Sequence, residues 1–564
     1  MRQHILLTAL AAAVSALAHG QNLNPTVEVT NAYEGASSSI VKPAQRMAVP
    51  DSVMKFNLDF DYSVSDRPYE GAYEFRPYYV RLKPTPAPST EERFYLRLGA
   101  GYTLHPELDL VWTPLRKDRF RMNVYATHRS YFGRYHLIDP VSAQDGVWLL
   151  RPTGEKMDGF LSDTKAGVDG TFFWEGGTAT LDLAYRHRMA EDQFLFRRMG
   201  GVEASASVRS LKSETPHFLY DATVDYHFLA GDQSPLPTFG GAGVDAAASE
   251  SLFRIDGTFG PVLDADRRIL VDLDLDLARY RGYFAGYTGL LSATSKYVFS
   301  LDRWHFSLGA RLSSIIYSED FNLWEDAYDH HSGTVFPDVR VDFGLLDDRL
   351  ILQAAATGGD RFASLSGRFL SHPFTTEYLC GHATERIRAM LGARGQIASR
   401  FRYDFQGGYA RWSHAPLEGF FQSRYAQPSL EEKSYHLVFA QLDYGWKNEF
   451  LTVDGLLSYR WTAVGEDVFA PAAFTGYCRP SYNWGERFKA GLDLEWSTSR
   501  TARVAGVDYR VPGWLDLGLH AEYRFTHHFG FWVKAGNLLN QAIQRTPVHA
   551  EAGIFGAAGI LLNF

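Results

Sequence analysis

The sequence predicts an all-β fold, a large antiparallel transmembrane β-barrel of about 22 strands with short periplasmic turns and long extracellular loops. Three observations carry this. Segments of about ten residues alternate apolar and polar side chains, which is how a strand with two unlike faces reads. The connections between them alternate between tight turns and long polar loops. Aromatic side chains gather near the segment ends, as they do at the two interfaces of a bilayer.

The chain has 564 residues, of which 21% are charged and 15% aromatic. At its start, Arg2 precedes the apolar run Ile5 to Ala18, too short to span a bilayer as a helix. Ala16-Leu17-Ala18 offers a small-residue cleavage site, so residues 1–20 read as a signal peptide. No later stretch approaches the roughly 18 apolar residues of a transmembrane helix. An exported chain of this kind is secreted, periplasmic or inserted as a barrel. The strand pattern selects the Gram-negative outer membrane.

Residues 21–92 differ. Pro25, Pro43, Pro50, Pro68, Pro77, Pro84, Pro86 and Pro88 break them into short pieces. One piece alternates, Met54, Phe56, Leu58, Phe60 and Tyr62 against polar neighbours. It reads as an extra strand or as a strip lying inside the barrel, in a segment that is periplasmic or lumenal.

Residues 93–564 form the expected barrel. Ile269, Val271, Leu273, Leu275 and Leu277 alternate with Asp272, Asp274 and Asp276. Comparable patterns run through 304–313, 451–461 and 487–496. Trp174-Glu175-Gly176-Gly177, Leu301-Asp302-Arg303 and Lys447-Asn448 are the short turns. Residues 131–157, 229–247, 316–334, 359–384, 413–433 and 463–485 are the long loops. Trp112, Tyr280, Tyr444, Trp446, Tyr459, Trp461, Trp496 and Tyr523 form the aromatic girdles. At the C-terminus, Leu515, Leu517, Leu519, Ala521, Tyr523 and Phe525 oppose Asp516, His520, Glu522 and Arg524. The last strand carries Ile560, Leu562 and Phe564 on one apolar face, a membrane-insertion signal.

The C-terminal strands resemble the barrel of TonB-dependent outer-membrane receptors. The likeness lies in Leu515-Asp516-Leu517-Gly518, in Tyr523-Arg524-Phe525, in Val533-Lys534-Ala535-Gly536-Asn537-Leu538-Leu539-Asn540 and in the final strand from Gly559. Leu96 to Tyr102, followed by His128-Arg129-Ser130, is similar to plug-less relatives of the Bacteroidetes type. The resemblance implies transport across the outer membrane and a periplasmic energy transducer, TonB, as partner. Thr26, Val27, Glu28, Val29 and Thr30 resemble a TonB box, an extended strip that pairs by strand addition. The family's full receptors carry a plug domain much longer than residues 21–92.

The expected chemistry is that of a wet lumen. Asp272, Asp274, Asp276, Asp338, Arg340, Asp342, Arg487 and Lys489 are its expected lining, of mixed sign. A net charge of −9 without a basic tract suggests no nucleic-acid partner. The carboxylates and imidazoles between Glu319 and His331 form a polar loop or, alternatively, a surface cation site. His527-His528 reads as a polar turn. Cys380 and Cys478 pair if their loops meet, or stand as unrelated thiols. The sequence holds no G-x-S-x-G, H-E-x-x-H or Walker-type motif, so no catalytic residue, metal site or cofactor is expected. The sequence therefore predicts a channel or transporter for hydrophilic solutes. Its alternative is a structural component of an outer-membrane complex that docks a periplasmic or surface partner.

Overall fold

The computed structural model describes residues 93–564, apart from 103–104, 144–145, 192–195, 211–216, 234–247, 283–285, 319–332, 347–348, 375–380, 399, 423–425, 466 and 486. The signal peptide, the alternating strip at 54–62, the TonB-box-like residues Thr26 to Thr30, the polar loop at 319–331 and Cys380 lie outside the described residues. Cys478 is half-buried on its strand.

A single sheet closes on itself through 22 antiparallel strands. In chain order the ring runs β1 (Phe94–Gly101), β2 (Glu107–Lys117), β3 (Phe120–Ser142), β4 (Trp148–Trp174), β5 (Gly177–Glu191), β6 (Phe196–Ser210), β7 (Phe218–Gln233) and β8 (Ala248–Pro261). It continues with β9 (Arg267–Gly282), β10 (Gly286–Leu301), β11 (Trp304–Tyr317), β12 (Thr334–Gly344) and β13 (Ile351–Ala363). After a short helix α1 (Leu365–Ser371) come β14 (Gly381–Ile397), β15 (Phe401–Gln422), β16 (Ala426–Lys447), β17 (Leu451–Ala463), β18 (Phe474–Trp484) and β19 (Phe488–Ser497). A hairpin, β20 (Arg500–Val504) and β21 (Val507–Val511), stands off the ring, so β19 pairs directly with β22 (Trp514–Arg524). The ring ends with β23 (Phe529–Gly536) and β24 (Phe555–Asn563).

Strand β24 pairs with β1 from Tyr95↔Asn563 to Gly101↔Ala557. The Phe564 N–H donates to the Phe94 carbonyl at 2.8 Å, and the Phe94 N–H returns a bond of 2.7 Å. The imidazole of His528 stacks on the Phe564 ring at 5.2 Å. Ile560 and Leu562 fall on the outer face with Phe564. This seam leaves no open edge, which is what permits a sheet to sit in hydrocarbon.

The described turns at the Phe94/Phe564 end are short, such as Asp302 between β10 and β11, which adopts φ 52°. The long connections all lie at the other end. Two expected loops are largely strand. β3 and β4 stay paired up to Ser142↔Trp148, and β15 and β16 up to Gln422↔Ala426. Beyond the bilayer a strand needs no apolar outer face, so these polar ladders read as loop in the sequence. Within 463–485, residues 474–484 are strand β18. Its partner ladder to β19 skips Arg479 and Pro480, because a proline has no N–H to donate.

Outward positions form an apolar band. Leu181, Leu183, Tyr185 and Val202 are all more than half exposed in the protein alone. Of the expected girdle residues, Trp112 and Tyr523 lie outward near the short-turn end and Trp461 outward near the loop end. Tyr280 does not belong with them. It faces inward and is 2% exposed, covered together with Leu365 and Phe369 in one apolar cluster.

The barrel's two faces predict unequal tolerance. Leu183→Arg on the outer face should destabilise the folded barrel by about 2–4 kcal/mol, while Ser205→Arg on the inner face should change it far less. Urea unfolding in liposomes, followed by the mobility of unheated protein in SDS gels, measures both. Equal losses would contradict the assignment of faces.

Candidate functional site

The candidate site is the lumen together with the structure closing its outer end. Because side chains alternate along every strand, ring closure sends one complete set inward. On β9 that set includes Asp272, Asp274 and Asp276. Lys296 of β10 reaches Asp272 at 2.5 Å, Arg311 of β11 lies 3.9 Å from Asp274, and Arg254 of β8 reaches Asp276 at 2.5 Å. On β12, Arg340 pairs with Asp338 at 3.1 Å, and Arg394 of β14 pairs with Asp342 at 2.7 Å. These five acids and Arg340 thus lie in one cross-strand array over neighbouring strands. Lys489 is on the inner face of β19, opposite Glu522. Arg487 is not on the wall. It sits in the turn before β19, where its carbonyl accepts the Arg524 N–H at 2.8 Å.

Across the ring, the seam has a different inner surface. Trp532 of β23 lies flat over glycines, since a Cβ at Gly99 or Gly559 would come within 2.3 or 2.6 Å of its ring. The Arg97 guanidinium covers the indole from the lumen at 3.8 Å. Glu107, 1% exposed, takes Arg97 at 3.2 Å and also pairs with Lys534. Next to this, Arg479, Asp493, Glu495, Asp516, His520 and Glu522 line a recess of about 400 Å³.

Towards the loop end the inner wall turns apolar. Tyr131, Tyr135, Met157, Met199, Leu229, Leu252 and Tyr280 are all buried there. What buries them is α1. Ser364 caps this helix by accepting the Gly367 N–H at 3.1 Å, and Leu365 and Phe369 pack on the wall together with Phe374. Glu250 of β8, fully buried, accepts the Leu365 N–H at 2.7 Å and the Ser366 hydroxyl at 2.5 Å. His227 of β7 is 2.7 Å from the same carboxylate. Ser366, His227 and Glu250 are not a catalytic relay, because the serine and the carboxylate both meet the same ring nitrogen, Nε2.

A second cluster forms elsewhere at the loop end. Ile138, Leu150, Phe420, Phe469, Ala502, Val511, Val548 and Ala550 pack together. They come from the tops of β3, β4 and β15, the loop before β18, the β20–β21 hairpin and the loop 537–554. The hairpin also adds two parallel pairs to β4, Tyr509↔Trp148 and Arg510↔Leu149. Asn537 starts the last loop with φ 45°. Its side chain donates to the Gln541 and Ala552 carbonyls at 2.8 and 3.0 Å. Arg545 in that loop meets Glu495 at 2.7 Å, Asp516 at 2.9 Å and Glu551 at 2.9 Å. Burial alone would lower the pKa of Arg545, but Glu551, Glu495 and Asp516 outweigh it and hold it above the ordinary value. Arg500 pairs with Glu418 and donates to the Arg545 carbonyl at 2.8 Å.

His549 is enclosed at the centre of the cap, stacked on Phe374 at 3.8 Å and against Tyr135 at 5.2 Å. Burial pulls its imidazole down to about 3. The docked loop therefore holds neutral histidine, while the released loop titrates near 6.5. The contribution of His549 to docking is complete above about pH 6.5 and falls as the pH drops towards about 3. The amide protection factors of residues 541–554, exchange rates divided into their intrinsic values at each pH, should accordingly fall between pH 7 and 4.5, and His549→Gln should flatten that dependence. An identical pH profile in the variant would refute the assignment to His549.

The charges of β9 and β12 stand out in the amino-acid sequence, whereas the packing of α1 and the loop 537–554 at the outer end does not. Its one visible trace was that inward positions such as Met199, Leu229, Leu252 and Tyr280 turn apolar where water was expected.

No protein-family model matches the chain, and no curated protein matches it. Solved structures do resemble it in fold. The copper transporter OprC superposes with a TM-score of 0.60 at 12% identity, covering 84% of this chain and 80% of that one. A mutant of the ferric enterobactin receptor PfeA of Pseudomonas aeruginosa, in complex with enterobactin, gives 0.60 at 9%, over 84% and 81%. The FrpB iron transporter of Neisseria meningitidis (F5-1 variant) gives 0.61 at 8%, over 84% and 82%. At such identities the likeness is one of fold, and the fold this chain shares with them is the closed 22-strand barrel.

Proposed function

We propose that this chain is a transporter of the TonB-receptor-like barrel type, seated in Gram-negative outer-membrane lipid and admitting a hydrophilic solute through a gated lumen. The observation that carries the reading is the pairing of charges on the inner wall with α1 and the loop 537–554 packed together at its outer end. A charged wall suits a wet pathway, and a cap made of the barrel's own loops suits a pathway that is shut at rest. Asp272, Asp274, Asp276, Asp338, Arg340, Asp342 and Lys489 are the proposed lining, with Arg487 at its periplasmic rim. Thr26 to Thr30 are the proposed contact for TonB, and residues 1–20 the proposed export signal. The proposal does not carry over copper, ferric enterobactin or iron, which the names of the proteins of similar fold give.

The packed outer end also favours a second reading, in which the barrel conducts nothing and docks a partner. Planar-bilayer recordings separate the two. The intact chain should be electrically quiet, and a variant with Leu365–Ser371 replaced by an equally long Gly-Ser stretch should show open steps. A quiet variant would favour docking. Energy coupling is tested independently by deleting residues 26–30, which should abolish retention of the chain by an immobilised TonB C-terminal domain.

A further inference from the structure

Two arginines sit behind α1 where an inert stopper would need none. Arg188 of β5 and Arg197 of β6 face the Phe369 ring, with guanidinium carbons 5.8 and 5.6 Å from its centroid. Arg197, 2% exposed, donates Nη1 to the carbonyl of His372 at 3.0 Å and to that of Pro373 at 3.4 Å. Burying guanidinium groups is unfavourable compared with packing hydrocarbon of the same size, so a purely structural plug gains nothing from them. Around the arginines the wall offers the apolar side chains of Met199, Leu229, Leu252 and Tyr280, with the Glu250 carboxylate holding the N-terminal end of the helix beside them. The helix thus presents to the wall a planar aromatic ring beside oxygen acceptors aimed at a guanidinium.

We propose that this stretch of wall is a ligand site at the outer mouth and that α1, with the turn after it, fills the site as a stand-in for the ligand. The ligand class follows from what the stand-in supplies. It is a small solute with a flat aromatic or similarly apolar body and a carboxylate or comparable anionic group that takes the N–H groups of Arg197, with Arg188 adding cation–π attraction to the ring. The proposal deepens the transport reading by naming its substrate class, and it is measured as binding rather than flux. In the resting protein the site is available only in the fraction of molecules whose helix has lifted. Apparent affinity is reduced by that fraction, and weakening the helix's hold restores it. Phe369 belongs to the stand-in and not to the wall, so its truncation should expose the site without altering it.

The test uses the full chain in lipid nanodiscs, with 2-naphthoate as probe, calorimetric titration, and empty nanodiscs subtracted. Phe369→Ala should bind naphthoate at least about tenfold more tightly than the parent. Adding Arg197→Gln should remove that gain, and the uncharged 2-naphthalenemethanol should show no loss on the same addition. Unchanged naphthoate binding in Phe369→Ala, or a gain that survives Arg197→Gln, would overturn the proposal. Mobility of unheated protein in SDS gels confirms that each barrel is folded. If Phe369→Ala fails that check, Phe369→Leu, which keeps bulk but loses the ring, is judged by the same two outcomes. Should transport itself be wrong, the Gly-Ser variant stays silent in planar bilayers whatever naphthoate does, so the two failures are distinguishable.

Discussion

Pairing of β24 with β1 is the constraint on which the rest of this structure depends. A sheet of this length with a free edge would leave a row of N–H and C=O groups facing hydrocarbon, each at a penalty of several kcal/mol. Closing the ring satisfies them and also fixes which face is which. A slip of one residue at the seam would set the inner face of β24 against the outer face of β1, and the ring could not close with one face in lipid. The register is held by more than hydrogen bonds. Trp532 lies across Gly99 and Gly559, so the indole spans both closing strands, and a side chain on either glycine would lift it off. The Arg97 guanidinium on its lumenal face ties the same indole to Glu107 on β2.

Closure creates an interior, and the interior has two zones made by the same alternation. Lower down, the inward set is ionic, and its members neutralise each other between neighbouring strands, as Lys296 does Asp272. Higher up, the inward set is largely apolar, with Arg188, Arg197, His227 and Glu250 set among it, and needs a cover. α1 and the loop 537–554 supply it, so the cap is continuous with the wall in packing terms although the pieces are far apart in sequence. Tyr280 shows the transition on one strand, four residues above Asp276 and on the same face, yet buried against the cap.

The barrel was legible because period-2 alternation and turn chemistry act locally, and a local signal survives in a single sequence. Strand number and closure followed from them. Tyr280 was misread because an aromatic near a strand end suits either an interface or a covered lumen, and the cover comes from a segment almost ninety residues later. Residues 474–484 were missed because Pro480 and their polar side chains resemble a loop. Glu250 illustrates the harder case. A lone inward carboxylate says nothing of the helix it will hold, since its partners Leu365 and Ser366 are more than a hundred residues away.

The manner in which the cap is fastened bears on whether it opens. Its ionic contacts converge on a few centres. Arg545 serves Glu495, Asp516 and Glu551, while Glu418 serves Arg500 and, at 3.6 Å, His372. Buried ion pairs contribute little net stability compared with hydrocarbon, because desolvation offsets much of the attraction, but each permits very few geometries. A cap built this way is well defined when closed and not deeply stable. A permanent stopper would be expected to use hydrocarbon throughout, as the centre of the second cluster does. Ionic fasteners placed around that centre instead suit a closure whose parts separate into water, where each charge is again solvated.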